Sequence, residues 1–171
     1  STKGHKLCKS QASSLKPQAS SLKLHIQTHL YKEKPSIIEE EEILQTVLET
    51  YHSLIPKDLP SECPYSVREL YASLRENLFS GCRINEMKAE NGYKDQNLSR
   101  LFAKWIGMKP KEFCSEHTMA VGAYLLSETS CSIAGTALAL GFQSQTAFGK
   151  AVKRKFGISP SQLREQANKI V

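Results

Sequence analysis

From Ser130 to Arg164 the chain carries no acidic residue, whereas Lys150, Lys153, Arg154, Lys155 and Arg164 supply five positive charges. Cations gathered on one short stretch suit a polyanion, because each can pair with an anionic oxygen and none is neutralised by a neighbouring acid. The apolar spacing of the same stretch is helical: Ile133, Ala137 and Leu140 mark one face of a short helix, Gly141 ends it, and Phe148, Ala151, Val152 and Phe156 mark one face of the next. Short helix, glycine turn and basic second helix are the sequence form of a helix-turn-helix. Other chemistries find little support. His5, His25, His29, His52 and His117 stand beside no nucleophile motif, no glycine loop for phosphate is present, and Glu39 to Glu42 read as the acid-rich start of a helix. Neither an enzyme activity nor a cofactor is expected.

The elements that position these residues must come from 171 residues, 40% hydrophobic and 23% charged, enough for one ordinary domain or two small ones with a real core. The net charge of +6 is unevenly placed, with seven Lys against one Glu in residues 1–36, one Lys against six acids in 37–60, and fifteen Lys and Arg against ten acids in 61–171. Five widely spaced cysteines form no CxxC pair, which points to reduced thiols and a cytoplasmic chain. No apolar run approaches the roughly 18 residues needed to span a bilayer, and no signal peptide is apparent. The chain begins Ser-Thr-Lys without Met, as a piece of something longer would.

Residues 1–36 repeat QASSLK at Gln11 to Lys16 and Gln18 to Lys23, a composition with little to bury, and read as a basic flexible tail. A competing detail is SSLKLHIQTHLYKEKP, which resembles the second half of a C2H2 zinc finger; His25 and His29 would ligate zinc with His5 and Cys8 in place of the missing CxxC. Residues 37–60 form one amphipathic helix and a Pro-containing linker, with Leu44, Val47, Leu48, Tyr51, Leu54 and Ile55 at helical spacing. This stripe is either a homodimer seam or a face packed on its own domain, and its length favours the second. From 61 to 171 the pattern is all-α, with helices over 66–79, 84–91, 96–106, 110–126 (with a break near Ser115), 133–140, 145–156 and 160–169.

Two of these segments echo each other, INEMKAENGYKDQNLSRLFAKWIGMKPKEF from Ile84 and IAGTALALGFQSQTAFGKAVKRKFGISPSQL from Ile133. Gly92 answers Gly141, Tyr93 answers Phe142, Leu98 answers Phe148, Arg100 answers Lys150, Phe102 answers Val152, Gly107 answers Gly157 and Pro110 answers Pro160. Two helix-turn-helix units, about 84–106 and 133–156, thus stand in tandem. This pattern, above all ALGFQSQTAFGKAVKRKFGISPSQLR, resembles the DNA-binding domain of AraC/XylS-type transcription regulators over Tyr65 to Gln166. The resemblance implies two units joined by a connecting helix, here Lys111 to Leu126, and a bacterial regulator of transcription. A helix fits the major groove, and two readers about 34 Å apart meet one duplex face in successive grooves.

On a helical wheel Phe148, Ala151, Val152 and Phe156 turn to the core and Lys155 falls near the buried side, leaving Gln145 and Thr146 for base edges, Lys150 for guanine or phosphate, and Lys153 and Arg154 for phosphates. In the first unit the resemblance assigns Gln96, Asn97, Ser99 and Arg100 to bases and backbone, with Lys104 following to the backbone. Arg100 can donate two parallel hydrogen bonds to guanine. Phe102 and Trp105 belong to the core. The expected partner is double-stranded DNA, with RNA polymerase and a homodimer through 37–60 as further partners and no membrane. The alternative function is a helical protein-interaction module with residual DNA affinity, a reading prompted by Lys88 and Asn91 of the first unit, which depart from the family's usual residues; Thr136, Gly149 and Val152 depart from them in the second.

Overall fold

A computed structural model of the chain describes residues 35–81 and 96–169, and of Gln96 the backbone alone. The basic segment 1–34 with the zinc candidates His5, Cys8, His25 and His29, and the helix expected over 84–91, lie outside the described residues. The described residues are all-α: seven helices and no strand. They are α1 (Ile37–Leu54), α2 (Tyr65–Glu76), α3 (Gln96–Ile106), α4 (Pro110–Glu128), α5 (Ile133–Ala139), α6 (Gln145–Phe156) and α7 (Pro160–Asn168).

The chain divides into two compact units. Within the described residues the first comprises 55–78 and 96–117, thus α2, α3 and the first half of α4. Its core follows from helical spacing: Val67, Leu70, Tyr71 and Leu74 line one face of α2, and Leu98, Phe102 and Ile106 one face of α3. Phe113 of α4 stacks edge to face or tilted against Tyr71 at 5.5 Å, Phe102 at 6.1 Å and His117 at 4.4 Å between ring centres. The Tyr71 hydroxyl donates to the Pro56 carbonyl (2.7 Å), and the buried Arg75 donates to the Ile55 carbonyl (3.3 Å) while pairing with Glu76 (2.8 Å). α2 begins one residue before its expected start and ends at Glu76, three residues before its expected end. There the Asn77 side chain donates back to the Ser73 carbonyl (2.9 Å), and turns carry the chain to Gly81.

The second unit comprises 37–54, 79–81 and 118–169, thus α1, the second half of α4, and α5 to α7. α1 opens on a capping box, the Ser36 amide donating to the Glu39 carboxylate (2.8 Å) and the Glu39 amide to the Ser36 hydroxyl (3.4 Å), which holds the Glu39 carboxyl below its ordinary pKa. Its stripe is spent inside the chain: Ile43, Leu44, Val47 and Tyr51 are buried, as intramolecular packing requires. α4 runs unbroken through Ser115, and from Met119 to Leu126 it is apolar all round, the mark of a helix enclosed on several sides. Gly122 allows that enclosure, since a Cβ there would stand 3.2 Å from both Leu140 and Phe148.

The described cysteines divide. Cys63 and Cys131 are buried and free, whereas Cys114 is disulfide-bonded, against the expectation of reduced thiols throughout.

Candidate nucleic-acid interface

The second helix-turn-helix is built from α5, the turn 140–144 and α6. Ser132 caps α5, its hydroxyl accepting from the Gly135 amide (2.9 Å), and Gly141, at φ 79°, turns the chain. The Gly141 and Phe142 amides donate to the Leu138 and Ala137 carbonyls, satisfying the end of α5. Ser144 then caps α6, accepting from the Ala147 amide (3.1 Å), and Gly157, at φ 78°, closes it with a bond to the Lys153 carbonyl (2.8 Å). Phe148 and Val152, one turn apart, are buried, and Phe142 lies 5.2 Å from Phe148 between ring centres. α6 is thereby fixed at both ends and along one face.

Its other face is open and acid-free. Gln145, Thr146, Lys150, Lys153 and Arg154 are all exposed, so the structure brings together on one helix every residue of the second unit that the wheel turns outward for contact. Lys153, Arg154 and Lys155 occupy the last turn, where the helix dipole favours cations even without a ligand. α3 repeats the arrangement: Leu98, Phe102 and Ile106 are buried, Asn97, Arg100 and Lys104 are exposed, and Ser99 is half-buried. Asn97, Arg100 and Lys104 recur at three and four residues and so share a face. Gln96 opens α3, its side chain lying outside the description. The Gly107 amide, at φ 86°, donates to the Ala103 carbonyl (2.9 Å) and ends α3 as Gly157 ends α6.

Four sequence expectations change. Lys155 is exposed rather than near the buried side, and Phe156 is 38% exposed rather than in the core, because the last turn of α6 runs past the residues that cover Phe148 and Val152. Trp105 is half-buried, on the flank of the face that Phe102 commits to the core. Arg164 leaves the cationic set altogether: it is half-buried, and its guanidinium donates to the Leu126 (3.3 Å) and Cys131 carbonyls, tying α7 to the end of α4 and the start of α5. Burial lowers its pKa, as desolvation of a cation must.

One contact had no local signal. Glu40, read in the sequence as part of a charge run, reaches Ser132 and accepts from its amide (3.0 Å) and its hydroxyl (2.6 Å), 92 residues along the chain. Among the described residues no cluster of His, Cys, Asp and Glu could hold a metal, and no helix is long and apolar enough to cross a membrane.

Comparison with known proteins agrees with this geometry. Residues 87–166 match the family described as a helix-turn-helix domain. The HTH-type transcriptional regulator MtrA of Neisseria gonorrhoeae is 39% identical over 83 residues, 48% of this chain and 28% of that protein. The virulence regulon transcriptional activator VirF of Yersinia enterocolitica is 31% identical over 91 residues, 53% of this chain and 34% of that protein. The chain therefore spans about a third of the length of these relatives. The C-terminal domain of AraT, a response regulator from Geobacillus stearothermophilus, shares the fold, with a TM-score of 0.53 at 24% identity over 62% of this chain and 88% of that one. In motif and in its relatives, the stretch 87–166 is similar to the helix-turn-helix domains of transcription regulators of the AraC type.

Proposed function

We propose that the chain acts as a sequence-specific, double-stranded DNA-binding regulator of transcription in the cytoplasm, through a domain beginning near residue 61 that inserts α3 and α6 into successive major grooves. The observation that carries the reading is α6: a helix capped at both ends, anchored by Phe148 and Val152, whose open face bears Gln145, Thr146, Lys150, Lys153 and Arg154 and no acid. Gln145 and Thr146 at its start read base edges, Lys150 reads guanine or phosphate, and Lys153 and Arg154 bind the backbone. On α3, Arg100 supplies the sharpest discrimination by pairing with guanine O6 and N7; Gln96, Asn97 and Ser99 share the bases and backbone, and Lys104 follows to phosphate.

Selection of bound duplexes from random DNA tests the whole reading. Two half-sites are expected; one half-site would leave a single reader, and no enrichment would sink the proposal. Affinity for the selected duplex should fall linearly with salt on logarithmic axes, with a slope of about −0.9 per phosphate neutralised. A second reading, a protein-interaction module serving another regulator or RNA polymerase, draws on the exposure of Ile37 (87%), Ile38 (72%) and Leu138 (66%). It predicts sequence-independent or absent DNA binding at moderate salt. A homodimer through 37–60 would use Ile37 and Ile38 with the half-buried Leu48 and Leu54, since Ile43, Leu44, Val47, Tyr51 and Ile55 are already buried.

A further inference from the structure

We infer that Glu40 is a positioning residue for the second reading unit, so that α1, which precedes the matched segment 87–166, belongs functionally to the DNA-binding apparatus. The inference rests on the proposal that α6 reads DNA. α5 has seven residues, too few to persist as a helix by itself, and its first amides need acceptors. Ser132 supplies one by accepting from the Gly135 amide, and it can hold that orientation because its own hydroxyl proton is given to Glu40. The same carboxylate oxygen also takes the Ser132 amide, placing a negative charge at the positive end of α5 through charge-assisted bonds. α5 in turn packs against α6 through the Leu140 to Phe148 stretch, so whatever fixes α5 fixes the attitude of the reading helix.

Gly135 makes an independent case. A Cβ there would stand 2.9 Å from the Ser132 hydroxyl oxygen and clash with the Glu40 carboxylate oxygen, which would have to leave its place. Glycine inside a helix lowers helix propensity, and at this position it is what admits the carboxylate. Two residues 95 positions apart in sequence (40 and 135) are thus matched to one contact. The groove beside it is lined by Ile37, Glu41, Leu44, Gln45, Leu48 and Leu138, and Glu40 is the α1 side chain bonded to Ser132 across it, so its carboxylate gives the α1–α5 pairing its register.

The test uses the full chain and the variants E40A, E40Q, G135A, E41A and the double variant E40A/G135A. Amide hydrogen exchange is read in α5 and α6, and affinity and hydroxyl-radical protection are read on the duplex selected from random DNA. E40A and G135A are expected to speed exchange from Gly135 to Phe148 at least tenfold, leave α3 at the parent rate, weaken the duplex about tenfold and erase one protected half-site. E40Q, which keeps an acceptor without the charge, should fall between, and E41A, on the next and exposed position, should stay within twofold of the parent. A residue of merely generic structural importance predicts otherwise for glycine, since Gly135→Ala should then strengthen α5; here it weakens the unit, and in the E40A background it adds a smaller loss than in the parent, because the clash with the carboxylate is gone and only the approach to the Ser132 hydroxyl remains. Parent-level exchange in E40A and G135A overturns the inference, as does faster exchange with both half-sites retained. Should E40A not fold, the E40Q and G135A comparison decides alone. Failure to select any duplex with the parent chain would instead overturn the DNA-binding proposal, and the exchange data would still show whether Glu40 holds α5.

Discussion

At Thr136 a hydroxyl is buried in the second unit with no hydrogen-bond partner. Leaving such a group unpaired costs about 1 to 3 kcal/mol, and valine has nearly the same shape without the penalty. Thr136→Val should therefore raise the free energy of unfolding by about 1 kcal/mol, read as a higher urea midpoint at unchanged slope. Two glycines of similar backbone angle should answer differently to one substitution. A Cβ on Gly157 would meet nothing within 4 Å, whereas one on Gly141 would stand 2.4 Å from the Gly81 nitrogen and 2.6 Å from the Phe79 carbonyl oxygen. Asparagine tolerates a left-handed backbone, so Gly157→Asn should cost about 1 kcal/mol or less and Gly141→Asn more than about 3 kcal/mol in the same titration. That both glycines end helices was legible from Gly-aromatic and Gly-x-x-Pro. Their difference was not, because it depends on a backbone stretch some sixty residues earlier. On DNA, Arg100→Ala should relax one base position at a cost of about 1 to 3 kcal/mol, while Lys153→Ala should weaken all sequences alike and reduce the salt slope by about 0.9. Competition binding with single-position duplex variants checks both, and uniform weakening by Arg100→Ala would remove it from the base-reading set.

Among the elements, α3 and α6 keep the ends read from the sequence, because a 3.6-residue apolar period coincides there with Gly and Pro punctuation. α4 was expected to break near Ser115 and does not: the polar run around Glu116 is carried by flanking turns whose Phe113, Met119 and Val121 are buried. Phe156 was misassigned because a helical wheel assumes that every position on a face meets a neighbour. Gly149 weakens α6 without an evident steric reason, since its nearest prospective contacts, the Pro160 ring carbons, are at 4.0 Å. Gly149→Ala should stabilise the chain by about 0.8 to 1 kcal/mol, with DNA affinity unchanged. A loss of affinity in a variant of raised melting temperature would mean that the bare backbone at 149 meets the DNA itself.

Across the molecule, each unit buries one tyrosine whose ionisation is held back and one free thiol. Burial pushes Tyr71 and Tyr124 up to about 12, and it raises the thiols of Cys63 and Cys131. In the unfolded chain a phenol ionises near 10, so between pH 10 and about 12 the unfolded state binds fewer protons than the native one. The tyrosines' contribution to stability is therefore complete below pH 10 and is lost as pH rises toward about 12. Base-induced unfolding should coincide with the part of the phenolate absorbance that Tyr71→Phe and Tyr124→Phe variants lack, and alkylation of Cys63 and Cys131 should proceed only as the chain unfolds. That part forming well ahead of unfolding would contradict this.

Because Glu40 meets Ser132 across 92 residues, the second unit has consequences in time as well as in space. Its described stretches, 37–54, 79–81 and 118–169, are interrupted in sequence by those of the first unit. During synthesis at about 5 to 20 residues per second, α1 leaves the ribosome roughly 5 to 18 s before its partner helix exists. Until α5 follows, Ile43, Leu44 and Val47 lack the surface that covers them, while the residues of the first unit are complete at His117, before that surface exists. The nascent chain is thus more exposed to aggregation, and more in need of a chaperone, at α1 than at α7.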